Sequence, residues 1–151
     1  MSNKRIDEVV ELLLSIPPIM HRKMVRDVFK TALNQVEGEI APHHLMILRL
    51  LYESGPLNMT EIGEEIAVSK PQMTHSTDKL ISLGMIERQH DVKDRRKINI
   101  KLTNKGEKTI KKLQQSMKSQ MKEKLSSLDE EDIDRLAASL KTMADTFTKI
   151  Q

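Results

Sequence analysis

The chain has 151 residues, 38% of them hydrophobic, 31% charged and 2% aromatic, with five glycines, five prolines, no cysteine and a net charge of +3. That is enough for one core-forming domain, too little for a multidomain enzyme, and too poor in aromatic and turn residues for a β-sandwich. The missing thiols exclude disulfides, thiolate metal sites, cysteine nucleophiles and thiol redox sensing.

No run approaches the ~18 apolar residues of a membrane span, and the polar start Met1-Ser2-Asn3-Lys4-Arg5 leads into no signal-peptide core. The chain therefore reads as a cytoplasmic protein without a membrane partner. Its charge is unevenly spread. Residues 101–128 hold 8 Lys/Arg against 2 Asp/Glu, whereas residues 129–151 hold 3 against 6. A polyanion would meet the basic stretch between Arg88 and Lys124 first.

The opening stretch carries Ile6, Val9, Val10, Leu12, Leu13 and Leu14 on more than one side, which calls for burial against something larger than a local neighbour. Pro17-Pro18 interrupts it. Because proline donates no hydrogen bond and disfavours helix in the residue before it, a first helix is expected to end near Ser15 and a second to run from about Pro18 to Gln35. A single kinked helix is the alternative. After Gly38 and Pro42, a compact helix from His43 to Tyr52 places Leu45, Leu48, Leu51 and Tyr52 on its apolar face and stops at Glu53-Ser54-Gly55-Pro56.

Asn58-Met59-Thr60-Glu61 fits an N-cap with a carboxylate three residues on, opening a short helix through Ile62, Ile66 and Ala67. Ser69-Lys70-Pro71-Gln72 repeats the logic, with Ser69 as cap and Gln72 reaching back to it. That second helix should run to about Leu83 and end on a left-handed Gly84. A link of two or three residues between them implies a helix-turn-helix. Met73, Thr77, Leu80, Ile81 and Gly84 form the core seam of the second helix, leaving Pro71, Gln72, His75, Asp78, Lys79 and Ser82 facing outward with groups suited to base edges and phosphates.

Past Gly84 the period changes to two. Met85 to Gln89 and Lys97 to Leu102 read as strands, joined by the polar run His90-Asp91-Val92-Lys93-Asp94-Arg95-Arg96-Lys97 as a long basic tip. Thr103 caps a helix with apolar Ile110, Leu113, Met117, Met121 and Leu125. Asp129 caps a last one with Ile133, Leu136, Leu140, Met143 and Phe147 on one stripe. The wide stripes of the terminal helices are best covered by a second copy of the chain.

Little supports catalysis: there is no glycine-rich phosphate loop, no G-x-S-x-G elbow and no His-x-x-x-His pair. His43 and His44 point about 100° apart on a helix and suit cap or interface roles better than joint metal binding. No metal and no cofactor is expected. The basic tip is different. Asp94-Arg95-Arg96, flanked by Lys93 and Lys97, sets a guanidinium two residues from a carboxylate that can orient it by a paired hydrogen bond. An extended arginine of this kind suits a narrow A·T-rich minor groove.

From Leu57 to Gly106 the chain resembles the MarR family of winged-helix transcriptional regulators. The resemblance is carried by Asn58-Met59-Thr60-Glu61-Ile62-Gly63, Val68-Ser69-Lys70-Pro71-Gln72-Met73-Thr74, Lys79 to Arg88, Asp94-Arg95-Arg96 and Leu102-Thr103-Asn104-Lys105-Gly106. It implies a triangular homodimer with the Ser69 to Leu83 helix in the major groove and the hairpin tip in the adjacent minor groove of double-stranded DNA. By position it makes Arg96 the wing arginine and Asp94 its orienting carboxylate, and places Ser69, Lys70, Gln72, Thr74, His75 and Lys79 on the recognition helix. It also implies a cleft for a small aromatic acid or other lipophilic anionic effector.

The expected fold is mainly α with a small β-hairpin wing. A winged helix-turn-helix lobe spans 42–104, and helical dimerisation regions span 1–37 and 105–151. The expected function is a sequence-specific, ligand-responsive repressor acting as a homodimer on a pseudo-palindromic operator. The alternatives are a winged-helix adaptor that contacts proteins without binding DNA, and a metal-dependent regulator.

Overall fold

The computed structural model describes residues 2–151, most of them helical, in two compact units: the chain through Met117, and Lys118–Gln151. In the first unit, α1 (Ser2–Met20) holds both Pro17 and Pro18 inside the helix, continues into a π turn (His21–Val25), and becomes α2 (Arg26–Leu33). The kinked path therefore replaces the expected break at Ser15. The prolines deprive the Leu13 and Leu14 carbonyls of their usual donors. In the π turn that follows, the Arg26 N–H reaches back five residues to the His21 carbonyl.

Next comes α3 (Pro42–Ser54), with Leu45, Ile47, Leu48 and Leu51 buried. Tyr52, expected on that apolar face, is instead exposed, with the Lys111 ammonium 5.8 Å from its ring centre. The short strand β1 (Leu57–Asn58) leads into α4 (Met59–Ile66), and a three-residue link with Ala67 left-handed at φ 54° leads into α5 (Lys70–Ser82).

The wing is a hairpin of β2 (Ile86–His90) and β3 (Ile98–Leu102). With β1 it forms an antiparallel sheet of order β1-β3-β2, in which Asn99 lies opposite both Asn58 and Gln89. The strand β1 has no counterpart in the sequence reading, since two residues carry no alternation. The core joins Ile47 and Leu48 of α3, Ile62 of α4, Met73 and Leu80 of α5, Ile86 and Ile100 of the sheet, and Ile110 and Leu113 of α6 (Asn104–Leu125).

At one joint, α5, β2 and α6 meet. Gly84 (φ 71°) ends α5 with its N–H on Ile81 O, and the Met85 N–H bonds to Leu80 O. The Thr103 hydroxyl donates to the Gly84 carbonyl at 2.6 Å and accepts from the Gly106 N–H at 3.1 Å. The Thr103 N–H donates to Met85 O at 3.0 Å. Gly106 is buried there, and a Cβ on it would overlap the Met85 carbonyl.

The second unit holds the end of α6 and α7 (Glu130–Phe147), capped by Asp129 accepting the Asp132 N–H at 2.8 Å. Along α7, Leu136, Leu140, Met143 and Phe147 step by four, three and four, and all are exposed.

Gly106→Ala must displace backbone at the joint. It is expected to lower the unfolding free energy by about 2–4 kcal/mol, read from the urea midpoint at fixed protein concentration; an unchanged midpoint would contradict this close approach.

Candidate nucleic-acid interface

Two neighbouring elements present polar and cationic groups to solvent. The first is α5, set up by two successive caps. Asn58 Oδ1 accepts the Glu61 N–H at 2.8 Å while Glu61 Oε2 accepts the Asn58 N–H at 2.9 Å, closing the box that starts α4. Ser69 Oγ then accepts the Gln72 N–H at 3.4 Å. This second cap is one-sided: the expected return bond from the Gln72 side chain is not formed, which leaves that amide exposed. Ser69, Lys70, Gln72, Thr74 and His75 are exposed and Lys79 is half-buried, while Met73, Ser76, Thr77 and Leu80 face inward. The Thr74 hydroxyl is turned back onto Lys70 O at 3.1 Å.

His44, at the start of α3, is buried and accepts the Ala41 N–H on Nδ1 at 2.8 Å, the cap-turn role its position suggested. Burial first, then the electrostatic influence of His43, Lys79 and His75, lowers its pKa from 6.5 to about 4. The imidazole therefore stays neutral, which the cap requires because a protonated Nδ1 could not accept.

The second element is the wing tip, where Lys93, Asp94, Arg95, Arg96 and Lys97 are all exposed. The orienting bond expected at Asp94 takes a different form. Asp94 Oδ1 accepts the backbone N–H of Arg96 at 3.0 Å, and neither arginine's guanidinium pairs with it. The tip is organised by Asp91, to which sequence reading gave no role. Its Oδ1 accepts the N–H groups of Lys93 at 2.8 Å and Asp94 at 3.1 Å, and its Oδ2 accepts the Asn99 amide at 3.1 Å. These bonds, the Lys93 N–H first, hold its carboxyl below the ordinary carboxylate value. An aspartate at the head of a polar loop, able to accept the N–H two residues on in an Asx turn, is the available signal.

Arg88, on β2, donates to Asp78 Oδ1 of α5 at 2.9 Å and so links the root of the wing to α5. Both partners are exposed, so the bond contributes less than about 1 kcal/mol of stability and serves mainly to fix direction.

Away from these elements, a cavity of about 470 Å³ is lined by Val25, Phe29, Leu33 and Ile40, with His21, Arg26 and Lys30 on its wall. Among the described residues no group of three or more potential ligands converges to hold a metal ion, and no helix is long and apolar enough to cross a membrane.

Residues 40–98 match the sequence model of the MarR family. The HTH-type transcriptional repressor MdtR of Bacillus subtilis is 33% identical over 113 residues, covering 73% of each chain. The HTH-type transcriptional regulator YpoP of the same organism is 35% identical over 91 residues, covering 58% of this chain and 64% of that one. The chain thus spans about two thirds of the length of these relatives. A MarR family protein of Bacillus stearothermophilus superposes with a TM-score of 0.72 over 99% of both chains at 21% identity, a likeness of fold.

The lowered pKa of His44 has a definite sign. A base whose folded pKa lies below its unfolded one contributes stability that is full above pH 6.5 and is lost as pH falls toward 4. Wild type is expected to lose about 2 kcal/mol more stability than His44→Gln between pH 7 and pH 5, measured by urea unfolding; parallel pH profiles would contradict the assignment.

Proposed function

Since the chain belongs to the MarR family, we propose that it is a sequence-specific DNA-binding transcriptional regulator, acting as a homodimer in the cytoplasm on a pseudo-palindromic operator and released from it by a small effector. It carries out no covalent chemistry in this role. The observation that carries the reading is the pairing of a capped helix bearing Lys70, Gln72, His75 and Lys79 with a cationic finger bearing Lys93, Arg95, Arg96 and Lys97, joined by the Arg88 to Asp78 bond. Exposed amide, imidazole and ammonium groups on a helix suit base edges and phosphates of the major groove. Guanidinium groups at a narrow tip suit the adjacent minor groove, where phosphate potential is focused. Asp94 shapes the tip through the Arg96 backbone.

A second copy of the chain is favoured by surfaces that each unit leaves open. In α1, Ile6, Val9, Leu12, Leu14, Ile16 and Ile19 are about half exposed or more and lie on more than one side of the helix, and α7 exposes its own stripe. Each large apolar side chain left in water forgoes on the order of 1–2 kcal/mol of burial. Two-fold pairing buries both faces and presents two identical DNA-probing lobes to the half-sites of a palindrome. The apolar cavity with His21, Arg26 and Lys30 on its wall suits a small aromatic acid or other lipophilic anion.

Selecting duplexes from a randomised pool with wild-type protein tests the reading, which expects a pseudo-palindrome. On that duplex, Arg96→Ala should weaken binding by about 1–3 kcal/mol. Lys70→Ala and Lys79→Ala should each weaken it on all sequences and flatten the salt slope by about one unit per dimer half. If all three variants bind as wild type does, the surface is misassigned. Sedimentation at micromolar concentration should show a dimer; a monomer would refute the two-fold arrangement.

A further inference from the structure

We propose that Asp91, with Asn99 as its partner, is a positioning residue that pre-forms the wing tip for DNA, an inference that rests on the DNA-binding reading above. The seven residues from Asp91 to Lys97 include four cations, Lys93, Arg95, Arg96 and Lys97, all exposed. Left alone, such a loop would splay under its own repulsion and would have to be ordered when it enters a groove. Instead its backbone is already committed. The Asp91 carboxylate holds the Lys93 and Asp94 N–H groups and the Asn99 amide. The Asp91 N–H donates to Lys97 O at 2.9 Å, and the Lys97 N–H donates to Asp94 O at 2.9 Å.

Asn99 lies on the central strand of the sheet, so this bond ties the tip to the most supported part of the wing. On the other side of the loop the His90 ring lies 3.0 Å from Arg95 O. The groups that would contact DNA are the long side chains, while Asp91 itself points its oxygens into the loop. It acts through Arg95 and Arg96.

This role predicts an effect opposite in sign to simple electrostatics. Removing a carboxylate from a DNA-facing loop tightens binding by charge alone, whereas loss of a positioning residue weakens it. The probe is the duplex that wild-type protein enriches from a randomised pool. Asp91→Ala is expected to raise the Kd about ten-fold and Asn99→Ala a few-fold, with melting temperatures near wild type because neither residue belongs to the hydrophobic core. In the double variant Asp91→Asn, Asn99→Asp the amide brought in at 91 can donate to the carboxylate brought in at 99, and affinity should return. In an Arg96→Ala background Asp91→Ala should add less than about two-fold, because the two positions act as one unit.

Asp91→Ala binding as tightly as wild type, or losing affinity equally with and without Arg96, would overturn the proposal. A wild-type protein that enriches no duplex would instead overturn the DNA-binding reading beneath it.

Discussion

The direction of α5 relative to the wing depends on the joint where Gly84, Met85, Thr103 and Gly106 meet. One threonine hydroxyl closes it, donating to the Gly84 carbonyl and accepting from the Gly106 N–H, while its backbone N–H takes the Met85 carbonyl. Three elements leave from these few atoms: α5 ends there, β2 begins there and α6 starts there. Because Gly84 is left-handed and Gly106 admits no side chain, the angle between α5 and the wing is set by backbone packing. Soft surface contacts then need only refine it.

Above the joint, surface polar contacts contribute little to folding and much to direction. The Arg88 to Asp78 bond lies in solvent, where an ion pair stabilises by at most about 1 kcal/mol, and the Asp91 network lies at the half-buried edge of the sheet. Their effect is to reduce the number of conformations that a cationic finger samples. Ordering side chains and loops on association costs about 0.5–1.5 kcal/mol for each flexible group. A finger already ordered by its own backbone forgoes much of that cost.

The parts of this arrangement that were readable from the chain are the local ones. Asn58, Ser69, Thr103 and Asp129 cap helices because each lies within three residues of the N–H it accepts, and Gly84 ends α5 for an equally local reason. The hairpin followed from the alternation of Ile98, Ile100 and Leu102. What escaped reading depended on partners far along the chain or on competing groups nearby. The Pro17-Pro18 pair does not stop α1, which runs through both prolines to Met20 and on into the π turn. Tyr52 has the spacing of a core residue yet lies on the surface beside Lys111. Asp94 has an arginine two residues away, but the nearer backbone N–H of Arg96 takes its carboxylate. Asp91 looked like one more loop acid until Asn99, eight residues on, was placed against it.

In the proposed complex α5 and the wing tip of one lobe reach into neighbouring grooves of one duplex. The absence of cysteine allows a clean measurement, since a single introduced thiol can carry a DNA-cleaving iron chelate. With the chelate on Gln72→Cys, cuts should map to a major groove. With it on Arg95→Cys they should map to the adjacent minor groove, within about one helical turn of 10 base pairs, and the two sets should show opposite strand offsets. Cuts from only one of the two positions, or cuts scattered without regard to sequence, would contradict the claim.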